Sequence, residues 1–221
     1  FRWTMVNYTL LYFKCNGLSG GIKLMLDYLK VPFHDKTFEE SEWPSIKPTT
    51  PFGQVPVLYV DDDKFVFPQT LAIYRYLAAK HGTMPDSLED RAICDAYGDH
   101  IQTYMTMVSR FIDAIVQKKP KELIQEYVDE FQKFSYERFF PDLNKQLEKN
   151  GTGWMIGDRP SWIDFFVADT IDEHLYWRDK NDDESLGGLL KHREKVFSLP
   201  GLEKRVEERK HLFPPKEAFK F

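Results

Sequence analysis

The chain has 221 residues, with 30 Lys and Arg against 35 Asp and Glu, a formal net charge of −5, and 42% hydrophobic residues. These values are ordinary for a globular protein of one large or two small domains, and the scattered basic residues make no nucleic-acid footprint. No run of about 18 apolar residues is present to span a bilayer, and Phe1–Met5 lacks the apolar core of a signal peptide. Two cysteines, Cys15 and Cys94, make no disulfide framework, so a reducing, cytoplasmic setting is expected.

Asn7 to Phe13 is rich in aromatic and aliphatic residues and predicts a strand. After the Asn16-Gly17 turn, Ile22, Met25, Leu26 and Leu29 recur at the spacing of an amphipathic helix, which Pro32 stops. Phe33 to Phe38 predicts a second strand. Glu39 to Thr50 is punctuated by prolines and has room for one short helix. Val55 to Val60 and Lys64 to Phe67 predict a hairpin about the turn at residues 61–63, and Gln69 opens a helix through Lys80. A parallel crossover followed by an antiparallel hairpin is thioredoxin-like topology.

Residues 81–87 carry Gly and Pro and predict a linker. The domains are therefore expected at 1–82 and 88–221, the second all-helical. A helix is predicted from Leu88 to about Gln117, with Ile101, Tyr104, Met105, Val108, Ile112 and Ile115 on one stripe. Another begins at Pro120 and runs to about Lys149, with a kink or break at Pro141. Ser161 stands three residues before Asp164, a close variant of the capping box, ahead of a buried stripe of Ile163, Phe166, Val167, Thr170 and Ile171. A last helical region covers about Ser185 to Lys210, broken near Pro200-Gly201. The six histidines have no Cys or His at ligand spacing, so no metal is expected.

Several separated pieces resemble one family. Tyr8 to Phe13, Glu42 to Lys47, Pro51 to Leu58, Gln69 to Ile73 and Gly157 to Asp164 are together similar to the cytosolic glutathione transferases, and most like their sigma class. The resemblance implies an α/β thioredoxin-like N-terminal domain that binds glutathione, joined to an all-α C-terminal domain that shapes a pocket for a hydrophobic electrophile. Glutathione carries a thiol of pKa about 8.5, so little is thiolate at neutral pH. A tyrosine hydroxyl can donate a hydrogen bond to that sulfur without ionising, and Tyr12 stands where the family has this catalytic residue. Read on its own, Tyr12 is equally a core aromatic whose hydroxyl meets backbone, and Tyr8 is structural.

The same resemblance implies the other contacts. Val55-Pro56 looks like a cis-proline step that offers backbone to the cysteinyl part of glutathione. Gln69 and Thr70, at a helix N-terminus, hold the γ-glutamyl carboxylate. Trp43 and Lys47 reach the glycyl carboxylate, Gln54 adds a contact, and Asp99 reaches across from the partner subunit of a homodimer. Phe13, Leu18, Tyr104, Met105 and Val108 are expected around the electrophile.

The chain departs from the pattern after the tyrosine, where sigma-like relatives read Gly-Arg-Ala-Glu. Here the stretch is Gly17-Leu18-Ser19-Gly20, so a cation that favours thiolate is missing at position 18. Cys15 is expected as a partly buried thiol, and Ser19 is a weaker hydroxyl candidate than Tyr12. Two readings follow. One is a transferase conjugating glutathione to small hydrophobic electrophiles, with peroxidase or prostaglandin-isomerase activity within its reach. The other is a weakly active or non-catalytic, crystallin-like ligand-binding protein on the same fold.

Overall fold

A computed structural model describes residues 6–61, 63–177 and 183–213. Their contacts divide the chain into two compact units. The first runs to Met84 and includes Ser198–Phe213; the second is Pro85–Phe197. The reading from sequence placed everything after residue 88 in the helical half, whereas 198–213 belongs with the first unit.

In the first unit β1 (Tyr8–Phe13) lies inside a four-stranded sheet of order β2-β1-β3-β4, with β2 (His34–Phe38), β3 (Val57–Val60) and β4 (Phe65–Pro68). β1 pairs parallel with β2 and antiparallel with β3, and β3 pairs antiparallel with β4. The alternation of strand side chains sorts β1 into two faces. Leu11 and Phe13 pack with Phe38, Val57, Trp43 and Ile46, and Tyr8, Leu10 and Tyr12 take the other face.

The stripe predicted after Asn16 forms α1 (Gly17–Tyr28), with Ile22, Met25 and Leu26 fully buried. Residues 40–49 hold more helix than expected: a 3-10 turn, α2 (Trp43–Ile46), then a second 3-10 turn. Pro44 and Pro48 lie in the first turns of the latter two, where a missing N–H costs nothing. α3 (Thr70–His81) ends at Gly82 in the left-handed region.

The second unit opens with α4 (Leu88–Val116), capped by Ser87, whose hydroxyl accepts from the Asp90 N–H at 3.0 Å. α5 (Lys121–Phe134) and α6 (Phe140–Asn150) follow, then α7 (Trp162–Trp177), α8 (Asp183–Leu186) and α9 (Gly188–Phe197). The break expected at Pro141 sits just ahead of it, as a π-helical turn over Ser135–Phe139. Pro141 has no N–H for the carbonyl four residues back, and widening the preceding turn relieves that mismatch. α10 (Glu203–Arg209) returns to the first unit. No described helix is long and apolar enough to cross a membrane.

Candidate functional site

The sheet register brings the N-terminal candidates to one end. Leu11 pairs with Val57, and Val57 with Pro68. Carried one step past the last paired residues, the same register points Tyr12, Pro56 and Gln69 toward one another at the end of the ladder. The Val55–Pro56 peptide bond is cis, and Val55 lies outside the paired residues of β3.

Tyr12 is 8% exposed, and its hydroxyl oxygen accepts the Leu18 N–H of α1 at 3.0 Å. Gly17, at φ +41°, lies flush against the ring: a Cβ there would meet the Tyr12 oxygen at 2.5 Å. Leu18 is partly exposed in the same turn. Ser19 is buried and its hydroxyl donates to the Asn16 carbonyl at 3.1 Å, which leaves it no role at a ligand.

The loop before β3 adds polar groups. Trp43 is held by aromatic packing, stacked 5.8 Å from Phe38 and edge-on to Phe13 at 5.4 Å. Lys47 is exposed, and its carbonyl accepts from the Thr50 backbone and hydroxyl. The Gln69 side-chain amide donates to the Gln54 side-chain oxygen at 2.9 Å, which joins the loop to α3. Gln69 itself takes φ +76°, an uncommon conformation for a residue other than glycine, of the kind that collects at ligand sites. The first intrahelical bond runs from Ile73 N–H to the Gln69 carbonyl, so the amides of Thr70, Leu71 and Ala72 precede the ladder. A row of such amides favours a carboxylate.

The helical-unit candidates stand differently. Asp99 is exposed on α4. Tyr104, expected at the electrophile, is 1% exposed; it stacks on Phe139 at 4.3 Å, and its hydroxyl lies 3.0 Å from His174 Nδ1. It packs in the core of the helical unit. Met105, the next residue, and Val108, one helical turn along, are also buried. Phe13 is likewise occupied, on the sheet face opposite Tyr12. Of the two thiols, Cys15 is partly exposed, while burial pushes Cys94 up to about 12 and leaves it inert. No cluster of metal-binding side chains occurs among the described residues.

Two residues of this site escaped sequence reasoning. Asn16 was legible only as a turn, and Gly17 only as a turn and as the glycine the resemblance expects after the tyrosine. Yet Asn16 is buried and its side-chain amide donates to the Arg209 carbonyl at 3.0 Å, 193 residues along the chain. Only the tight packing of Gly17 on Tyr12 could have flagged the second, and that is visible only in three dimensions.

A mixed sheet of this order, with a cis-proline ahead of β3, followed by a helical unit, defines a thioredoxin-like α/β domain joined to an all-α one. Residues 19–85 match the family model for the glutathione S-transferase N-terminal domain, and residues 105–209 that for the C-terminal domain. The chain is 32% identical to glutathione S-transferase 4 of Caenorhabditis elegans, over 93% of this chain and 98% of the relative. It is 29% identical to the hematopoietic prostaglandin D synthase of Gallus gallus, with the same two coverages. Among solved structures it is similar to the monomeric Na-GST-3 of the hookworm Necator americanus, at a TM-score of 0.77 and 25% identity, covering 92% of this chain and 97% of the other. The chain belongs to the glutathione S-transferase family and is an enzyme of that family.

Proposed function

We propose that this protein binds glutathione along the edge formed by Tyr12, Pro56 and Gln69, and that Tyr12 donates a hydrogen bond to the glutathione sulfur. The backbone of Val55 pairs with the cysteinyl segment. Gln69 and the leading amides of α3 at Thr70 hold the γ-glutamyl carboxylate, Trp43 and Lys47 the glycyl carboxylate, and Gln54 steadies Gln69. The stabilised thiolate attacks an electrophilic carbon of a small hydrophobic substrate; a carbon–sulfur bond forms as a leaving group such as halide departs with the electron pair. The observation that carries this reading is the Tyr12 oxygen held by the Leu18 N–H at the end of the ladder toward which the register also points Pro56 and Gln69.

The likeness to a prostaglandin D synthase favours a second reading of the same site, in which the thiolate opens a prostaglandin endoperoxide instead. The sigma-like class, a detoxifying role in the cytoplasm and a homodimer whose second copy brings Asp99 to the γ-glutamyl amine complete the proposal. Exposed Phe52, Phe65 and Val66 on the first unit support such an association. The test is Tyr12→Phe. It is expected to lower kcat with a chlorinated dinitrobenzene by about 10- to 100-fold while glutathione affinity changes little, as for removal of one preorganised donor. A Tyr12→Phe protein as fast as the parent removes the tyrosine from the chemistry. A protein that neither binds nor turns over glutathione removes the proposal as a whole.

A further inference from the structure

An asparagine at a helix N-cap ordinarily spends its side chain on the helix, accepting from the amide two or three residues on. Asn16 does not. It occupies the N-cap of α1, yet makes no side-chain capping bond, and its amide is turned away to the Arg209 carbonyl in a buried contact. The exposed amides of α1 are satisfied otherwise. Ser19 N–H bonds the Asn16 carbonyl at 3.1 Å, and Leu18 N–H is given to the phenol oxygen of Tyr12. The tyrosine therefore takes the place of the capping side chain.

We propose that Asn16 is a positioning residue for Tyr12: by bonding the Arg209 carbonyl of α10 instead of capping α1, it leaves the Leu18 N–H to the Tyr12 hydroxyl and fixes the turn that presents it. This rests on the reading of Tyr12 as the donor to sulfur. An oxygen that accepts an N–H at the positive end of a 12-residue helix tolerates more negative charge and makes its own O–H a stronger donor. Position 18 carries an apolar side chain, which adds no cation to the field at this hydroxyl. Movement of the turn reaches the ring directly, because Gly17 leaves no slack against it. The acceptor is itself held in place: Arg205, one turn before Arg209, bonds Asp27 of α1 at 2.6 Å.

The experiment follows the thiol of glutathione bound to the full chain, by the ultraviolet absorbance of the thiolate against pH, together with the glutathione Kd. Asn16→Asp cannot donate to a carbonyl and is a strong N-cap, so it competes with Tyr12 for the α1 amides; Asn16→Ala simply removes the tether. Both are expected to raise the bound thiol pKa by about one unit, a roughly tenfold loss of thiolate at about pH 6.5, with Kd changed less than about threefold. In a Tyr12→Phe background neither is expected to add a shift. A purely structural Asn16 moves the melting temperature and leaves the thiol pKa where it was, which overturns the proposal. A shift of the same size in the Tyr12→Phe background also overturns it, since the effect then bypasses the tyrosine. If Tyr12→Phe shifts the thiol and the Asn16 variants do not, Asn16 alone loses its role. If Tyr12→Phe leaves the thiol unshifted, the reading of Tyr12 falls first. Should Asn16→Ala fail to fold, Asn16→Asp, which still caps the helix, carries the measurement.

Discussion

At Gly17 two demands meet that glycine alone answers. The backbone sits at φ +41°, and the space a Cβ needs is filled by the Tyr12 ring, with Cε1 at 2.9 Å and the oxygen closer still. Gly17→Ala is therefore expected to cost about 2 kcal/mol of stability from backbone strain and contact together. Its larger effect is expected on chemistry, because the hydroxyl must swing off the Leu18 amide to make room. Urea denaturation gives the first quantity and steady-state kinetics the second; kcat should fall further than Kd for glutathione rises. A Gly17→Ala enzyme with parental kcat would mean that the hydroxyl does not need the position seen here. The Tyr12 oxygen also shows why two readings of one tyrosine were both open from sequence. It does meet backbone, as a core tyrosine would, and on the proposed function that same contact is what holds it toward the sulfur.

The start of α7 shows what was legible at the scale of an element. Ser161 and Asp164 lie three residues apart, so the capping box could be read locally, and the carboxylate does accept from the Ser161 N–H and hydroxyl, each at 2.8 Å. Its other oxygen accepts the Met155 N–H at 2.7 Å and lies 2.9 Å from His192 Nε2 of α9, partners that no local pattern announces. Asp164 is fully buried, so losing it strands several donors at once. Asp164→Ala is expected to destabilise by about 3–5 kcal/mol, against about 1 kcal/mol for Ser161→Ala, which loses one hydroxyl contact. Equal denaturation midpoints for the two would contradict the network. The same limit holds for the residues expected at the electrophile. Helical periodicity put Tyr104, Met105 and Val108 on a buried stripe, but a stripe does not name what covers it, as Phe139 and His174 do Tyr104. Strand alternation, applied strictly, separates Phe13 from Tyr12. The residues proposed to hold glutathione sit at strand ends and helix starts, where the order of elements fixes the neighbours.

For the molecule as a whole, the consequential feature is that the chain comes back: Ser198–Phe213 completes the first unit. Nothing in a run as polar as Glu203 to Lys210 distinguishes a solvated helix from a docked one, since the pairing partners lie about 170 to 190 residues away. The docking is made with charge. Lys23 of α1 is buried with its Nζ 3.0 Å from Asp35, close but not aligned as a hydrogen bond, and Arg205 spans Asp27 at 2.6 Å and the second oxygen of Asp35 at 3.6 Å. With two cations shared between two carboxylates, loss of Arg205 leaves Asp27 and Asp35 with one. Because the partners keep about a quarter of their side-chain surface in water, the cost is discounted to about 1–3 kcal/mol for Arg205→Ala. Lys204→Ala, removing an exposed pair with Glu208 on the same helix, should cost less than about 0.5 kcal/mol. Urea denaturation separates the two, and hydrogen exchange over 198–213 should quicken only in Arg205→Ala. That variant should also lose activity at temperatures where it stays folded, because the carbonyl that holds Asn16 rides on the loosened helix. Identical stability and exchange for the two substitutions would mean that α10 docks by its apolar contacts, and the charge network would then have no part in holding the turn beneath Tyr12.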